Sequence, residues 1–220
     1  KNALLEQQAN LGNLIKAPEA EFIQGLDKKK ADDLKRLGEN KLDSEFVSIQ
    51  KKSIEDGYNS ILKYYKKNYE ANLAKSKMNN SVSPSFDFEN HKGGKTKLED
   101  LKGKYVYIDV WATWCGPCRA EIPALKKVEE KYHGKNIEFV SISIDVNKDH
   151  EKWKTFVNDK QLGGVQLFAD KDWNSDFMKS FGVTSIPRFI LIDPSGKVVN
   201  SDASRPSSPD LQTELDSLLN

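Results

Sequence analysis

The sequence predicts an α/β domain, a sheet covered by helices on both faces, preceded by an all-helical region. Three observations carry this prediction. Residues 1–78 place apolar side chains at helical spacing with almost no strand signal. Residues 79–220 alternate short apolar runs with helix-period segments. Between them, the polar stretch "SKMNNSVSPS" (Ser76 to Ser85) reads as a linker.

In the first region, Pro18 suits the first turn of a helix running to about Leu37, and "GEN" (Gly38 to Asn40) ends it. Asp43 is placed to cap a second helix, whose apolar stripe is Phe46, Ile49, Ile54, Tyr58, Ile61, Tyr65, Tyr69 and Leu73. In the second region, strands are expected at Tyr105 to Val110, Ile137 to Ile144, Val165 to Phe168, Phe189 to Ile192 and Val198 to Val199. Helices are expected at Pro117 to about Tyr132, Asp149 to Lys160, Trp173 to Phe181, and from about Ser208 onward.

Composition narrows the function. A net charge of +1 and a pI near 7.8 give no electrostatic reason to propose nucleic acid or an anionic membrane as partner. Lys63, Lys66 and Lys67 beside Tyr64 and Tyr65 fit an amphipathic helix better than a nucleic-acid patch. No apolar run approaches the roughly 18 residues that span a bilayer. The opening "KNALLEQQAN" lacks a charged-then-apolar signal pattern.

The two cysteines both lie in "YIDVWATWCGPCRAEIPAL", Tyr107 to Leu125, as Cys115-Gly116-Pro117-Cys118. With no other cysteine, stability must come from packing, which leaves this dithiol free for chemistry. Cys115 would sit at the N-terminus of the helix that Pro117 helps to start, where unpaired N–H groups and the helix dipole favour a thiolate. Cys118, one turn in, would close a small disulfide ring. A thiolate at Cys115 attacks a partner disulfide, and Cys118 then resolves the mixed disulfide. That step needs a base, and two acids are candidates. Asp109 lies inside the apolar run "YVYIDV", where an unpaired carboxylate is costly and its pKa should rise. Glu121 follows Cys118 by three residues and shares its helix face. Zinc is disfavoured, because there is no second cysteine pair and His91, His133 and His150 are scattered and expected at the surface.

These residues resemble the thioredoxin superfamily, in particular its TlpA/ResA-like envelope branch. "DVWATWCGPCRAEIPAL" and "VTSIPRFILIDPSGKVV" (Val183 to Val199) carry the resemblance, over about Pro84 to Asn220. It implies a thioredoxin-like fold, a central mixed sheet flanked by helices. Residues 146–172 would form a helix-strand insertion, and "SPSFDFENHKGGKTKLEDLKGKYV" a hairpin leading into the first core strand. It also implies a cis peptide at Ile186-Pro187 beside the cysteines. The backbone at Ile186 would pair with an extended substrate segment, and Trp114, Gly116, Pro117 and Pro187 would complete the substrate surface. Asp109 matches the buried acid of ordinary thioredoxins and Glu121 the active-site glutamate of the ResA-like branch. Members are typically exported disulfide reductases of the bacterial periplasm, often tethered to the membrane. The expected partners are therefore a disulfide-bearing substrate protein and an upstream thiol reductant, with no cofactor and any tether outside this chain.

Gly-Pro between the cysteines resembles the reducing members, with an oxidase or isomerase as the alternative. A peroxidase fits poorly, because Ile108 and Ala112 stand where a peroxiredoxin-like P-x-x-x-T-x-x-C needs Pro and Thr. A third reading makes the helical half a partner-binding or homodimer surface, with the dithiol secondary.

Overall fold

A computed structural model describes residues 19–38 and 42–219. They divide into two compact units, with the boundary between Leu73 and Ala74. Pro18, Glu39, Asn40 and the side chain of Leu73 lie outside the described set.

The first unit holds α1 (Glu19–Gly38) and most of α2 (Ser44–Met78). Asp43 caps α2 as its position predicts: Oδ1 accepts from the backbone N–H groups of Glu45 (2.9 Å) and Phe46 (3.1 Å). The buried rings of Phe22 and Tyr65 stack, and Leu26, Ile23, Tyr58, Ile61, Leu62 and Tyr69 pack around them. Polar pairs fix an antiparallel register, with Tyr58 donating to Asp27 (2.7 Å) and Lys30 to Glu55 (2.9 Å). That register corrects the predicted stripe. Phe46 and Ile49 are 47% and 59% exposed, and the register sets Ile49 opposite the polar last turn of α1, Lys35 and Arg36.

The second unit is a seven-stranded sheet in the order β2-β1-β5-β4-β3-β6-β7. Its strands are β1 (Asp87–Asn90), β2 (Lys95–Lys97), β3 (Tyr105–Trp111), β4 (Ile137–Ser143), β5 (Val165–Phe168), β6 (Arg188–Ile192) and β7 (Val198–Asn200). Parallel β3-β4-β5 is flanked by antiparallel neighbours on both sides, giving a mixed sheet. The covering helices are α3 (Gly116–Lys131), α4 (His150–Asp159), α5 (Asp176–Ser180) and α6 (Pro209–Leu219). Alternation along β3 sends Val106, Ile108 and Val110 into one core cluster and Tyr107 into the other. Asp109 shares the Tyr107 face by the same period. The β1-β2 hairpin and the α4-β5 insertion stand where the resemblance implies them.

Three expectations are corrected. The segment read as a linker is instead built into the domain. Helix α2 runs to Met78, which packs on the core, and the chain after it pairs with the edge beside β7. Asn80 N–H donates to the Val198 carbonyl (2.7 Å), Val198 N–H to Ser81 (2.9 Å) and Ser83 N–H to Gly196 (2.9 Å). Its polar composition imitates a loop, but its backbone satisfies an otherwise open sheet edge. The helix expected over Trp173 to Phe181 is a 3-10 turn (Asp172–Asn174) followed by short α5, because Ser175 adopts extended backbone and caps Met178 N–H. Finally, His91 and His150 are half-buried, both against the Trp153 ring, and His150 Nε2 lies 2.9 Å from Glu89. Pairing of β1 with β5 brings these distant residues together.

Candidate active site

The site grows from the end of β3. The chain leaves the sheet at Trp111, turns through Ala112 to Trp114, and enters α3 with Cys115 as N-cap. Cys115 N–H donates to the Ala112 carbonyl (3.0 Å), and Cys118 N–H donates to Cys115 Sγ (3.1 Å). The two cysteines are joined in a disulfide with Cα atoms 5.3 Å apart. A sulfur that accepts a backbone N–H at a helix N-terminus is the one whose thiolate is stabilised on reduction.

The turn is locked from beneath by residues that the sequence reading missed. Asp145, fully buried just after β4, accepts from Thr113 N–H (2.9 Å), Thr113 Oγ1–H (2.8 Å) and Ser143 Oγ–H (2.7 Å). Three donors satisfy the carboxylate and pin the loop carrying Cys115 to the sheet. The available signal was an acid at the end of an apolar strand, "SISID", the same signal that marked Asp109.

Around the disulfide, Trp114 is 51% exposed and Gly116 and Pro117 are exposed, forming a surface rim. The Ile186-Pro187 peptide is cis, and Ile186 packs against the core cluster that contains both cysteines. Trp111, in contrast, is a buried residue of that core.

The two predicted acids occupy different environments. Asp109 is buried, and among the described residues its Oδ1 has no hydrogen-bond partner and no lysine pairs with it. Burial first, and then the negative charges of Glu121 and Glu129, push its carboxyl up to about 8. A narrow cavity places it beside Cys118, together with Trp111, Ser141, Gln166 and Glu129. Glu121 is also buried, not solvated, but its carboxylate is engaged elsewhere. It accepts from Ser207 N–H (3.0 Å), Ser207 Oγ–H (2.9 Å) and Arg205 Nη1 (3.5 Å). Tyr107 anchors that loop by donating to the Ser204 carbonyl (2.7 Å). The structure thus groups Asp109 with Cys118 and adds Glu129, while Glu121 sits in a polar socket outside the cavity lining. No cluster of three or more metal-ligating side chains occurs among the described residues.

Comparison with known proteins gives a consistent picture. Residues 77–216 match the family model described as Redoxin. Thiol-disulfide oxidoreductase ResA of Bacillus thuringiensis (strain Al Hakam) is 35% identical over 117 residues, covering 53% of this chain and 65% of that protein. ResA of Bacillus subtilis (strain 168) is 31% identical over 121 residues, covering 54% of this chain and 64% of that protein. The chain therefore spans just under two thirds of the length of these curated relatives. Among solved structures, the thioredoxin domain of a thiol-disulfide oxidoreductase from Bacteroides vulgatus aligns with a TM-score of 0.58 at 31% identity, covering 64% of this chain and 98% of that one. A thiol-disulfide oxidoreductase from Bacteroides fragilis aligns with a TM-score of 0.56 at 27% identity, covering 63% and 100%. The dithiol turn, the mixed sheet and these matches agree, and the chain belongs to the Redoxin family of the thioredoxin superfamily.

Proposed function

We propose that this chain is a thiol-disulfide oxidoreductase that reduces disulfides of partner proteins in the bacterial envelope. The observation that carries the reading is the asymmetry of the two sulfurs. Cys115 Sγ accepts the N–H of Cys118 at the start of α3, while Cys118 faces the cavity that holds Asp109. In the dithiol form, Cys115 attacks a partner disulfide as thiolate and releases one partner sulfur. Asp109 then takes the proton of Cys118, whose thiolate attacks Cys115 and frees the second partner sulfur. The names of the similar proteins support thiol-disulfide chemistry, and likeness to the TlpA/ResA branch supports the reducing direction and the envelope setting. An upstream thiol reductant would restore the dithiol. Among the described residues, no helix is long and apolar enough to cross a membrane.

Direction is tested by equilibrating the protein with glutathione buffers and following the Cys115–Cys118 disulfide. The expected potential lies toward the thioredoxin end of the scale, roughly −270 mV. A value near the strongly oxidising end, roughly −120 mV, would replace the reductase reading with an oxidase.

A further inference from the structure

Glu129 lies between two depressions of very different character. The inner one is the cavity beside Cys118 and Asp109, about 10 Å³, with room for about one water molecule. The outer one is an open basin of about 550 Å³ walled by Lys104, His133, Lys135 and Glu138. Of the residues lining the two, Glu129 alone lines both.

The inner cavity is polar. Asp109 Oδ1, Trp111 Nε1 and Gln166 Oε1 are buried there without a hydrogen-bond partner. Such atoms are costly in a dry site and suit a bridging water. The Gly163-Gly164 turn makes room for the Glu129 carboxylate. A Cβ at Gly163 would collide with Glu129 Oε2, and one at Gly164 would meet the Phe139 carbonyl oxygen at 2.5 Å and Glu129 Oε1 at 3.2 Å. Glu129 lies 11 residues after Cys118 on α3, on the same face but about 16 Å farther along the axis. It cannot touch the sulfur and must act through a nearer group. Burial holds its carboxyl up to about 7, against an opposing Lys126. That is close to the value of about 8 at Asp109. With the two carboxyls lining one cavity and matched in proton affinity, a proton relayed between them by a water would move at little cost.

We propose that Glu129 is the proton outlet of the buried site, acting through Asp109 and exchanging protons with solvent at the outer basin. The proposal rests on Cys118 being the resolving thiol. In that step the Cys118 S–H proton goes to Asp109, the Cys115–Cys118 bond forms and the Cys115–partner bond breaks. The dithiol loses two electrons and the partner disulfide gains them. The leaving partner sulfur is protonated from solvent, and the proton on Asp109 leaves by way of Glu129. Reduction by the upstream thiol runs the same path inward. The titratable and charged groups facing Glu129 are Asp109 on β3, Cys118 and Lys126 on its own helix, and Lys104, Tyr132, His133, Lys135 and Glu138 around the basin.

The test compares Glu129→Gln and Gly163→Ala with the unaltered full chain. The first removes the charge; the second keeps the glutamate but displaces its flexible end. Carboxyl-carbon NMR reads the titration of Asp109, and rapid-quench kinetics read resolution of a preformed Cys115 mixed disulfide against pH. Both variants are expected to lower the Asp109 midpoint and to slow resolution about tenfold, with attack by Cys115 unchanged. An unmoved Asp109 midpoint and an unchanged resolution profile in both variants would overturn the outlet. A Glu129 that only lends its charge to Asp109 would move the midpoint and leave the resolution profile unchanged, which would also overturn the outlet. The NMR titration needs no disulfide turnover. Absence of disulfide exchange in the unaltered chain would thus count against the proposed function, whereas exchange with an unchanged resolution profile in both variants counts against the outlet alone.

Discussion

Replacing Cys118 with serine is expected to stop turnover after one attack and to accumulate a mixed disulfide on Cys115. The N–H donated to Cys115 Sγ comes from the backbone of residue 118 and survives the substitution. Cys115 is therefore expected to keep its activation as the proposed nucleophile, while the sulfur that would release the partner is gone. Steady-state disulfide reduction should fall by about a thousandfold or more. Mass spectrometry should find one partner adduct per chain, mapped to Cys115. The reciprocal Cys115→Ser should lose turnover equally but form no adduct. Adducts on both variants alike would mean that the two sulfurs are interchangeable, and the assigned order would be wrong.

Asp109→Asn is expected to raise stability in alkaline solution and to slow resolution at the same time. The sign follows from the direction of the shift. The Asp109 carboxyl rises from 3.8 to about 8 on folding, so between those values the folded chain holds a proton that the unfolded chain has released. Its contribution is fully present below about pH 4 and is lost as pH rises through about 8. Glu129, raised to about 7, adds a smaller slope of the same sign. Asparagine carries no such cost, so the variant should exceed the unaltered protein by about 2–4 kcal/mol at pH 8.5 and match it near pH 4. Denaturant unfolding at the two pH values checks this, and parallel curves would contradict it. Without a base for Cys118, resolution should slow by about 10²-fold above about pH 8, where Asp109 of the unaltered chain is the carboxylate.

The parts of the site legible in the sequence are those built by one local unit. Asp109, Cys115 and Cys118 belong to a single strand-turn-helix, so strand parity and helix capping place them without reference to the rest of the fold. Glu129 was not legible. In "KKVEEKY" it resembles any solvated helix residue, and only the Gly163-Gly164 turn, far along the chain, gives its carboxylate a half-buried seat. Glu121 was found by its helix face, but its socket of Arg205 and Ser207 comes from the loop before α6. The hold of Asp145 on Thr113 joins the ends of neighbouring parallel strands, a contact that pattern reading does not reach. The same limit explains residues 80–83, whose polar composition hid their pairing to the β7 edge. Periodicity reports what a segment does alone; these roles arise from what packs against it.

The proposed chemistry requires the two cysteines to be unequal, with Cys115 the attacking thiolate and Cys118 the protected resolving thiol. A brief alkylation pulse on the reduced protein at pH 7, followed by peptide mapping, measures this directly. Cys115 is expected to label faster than Cys118 by at least about tenfold. Equal labelling, or faster labelling of Cys118, would contradict it.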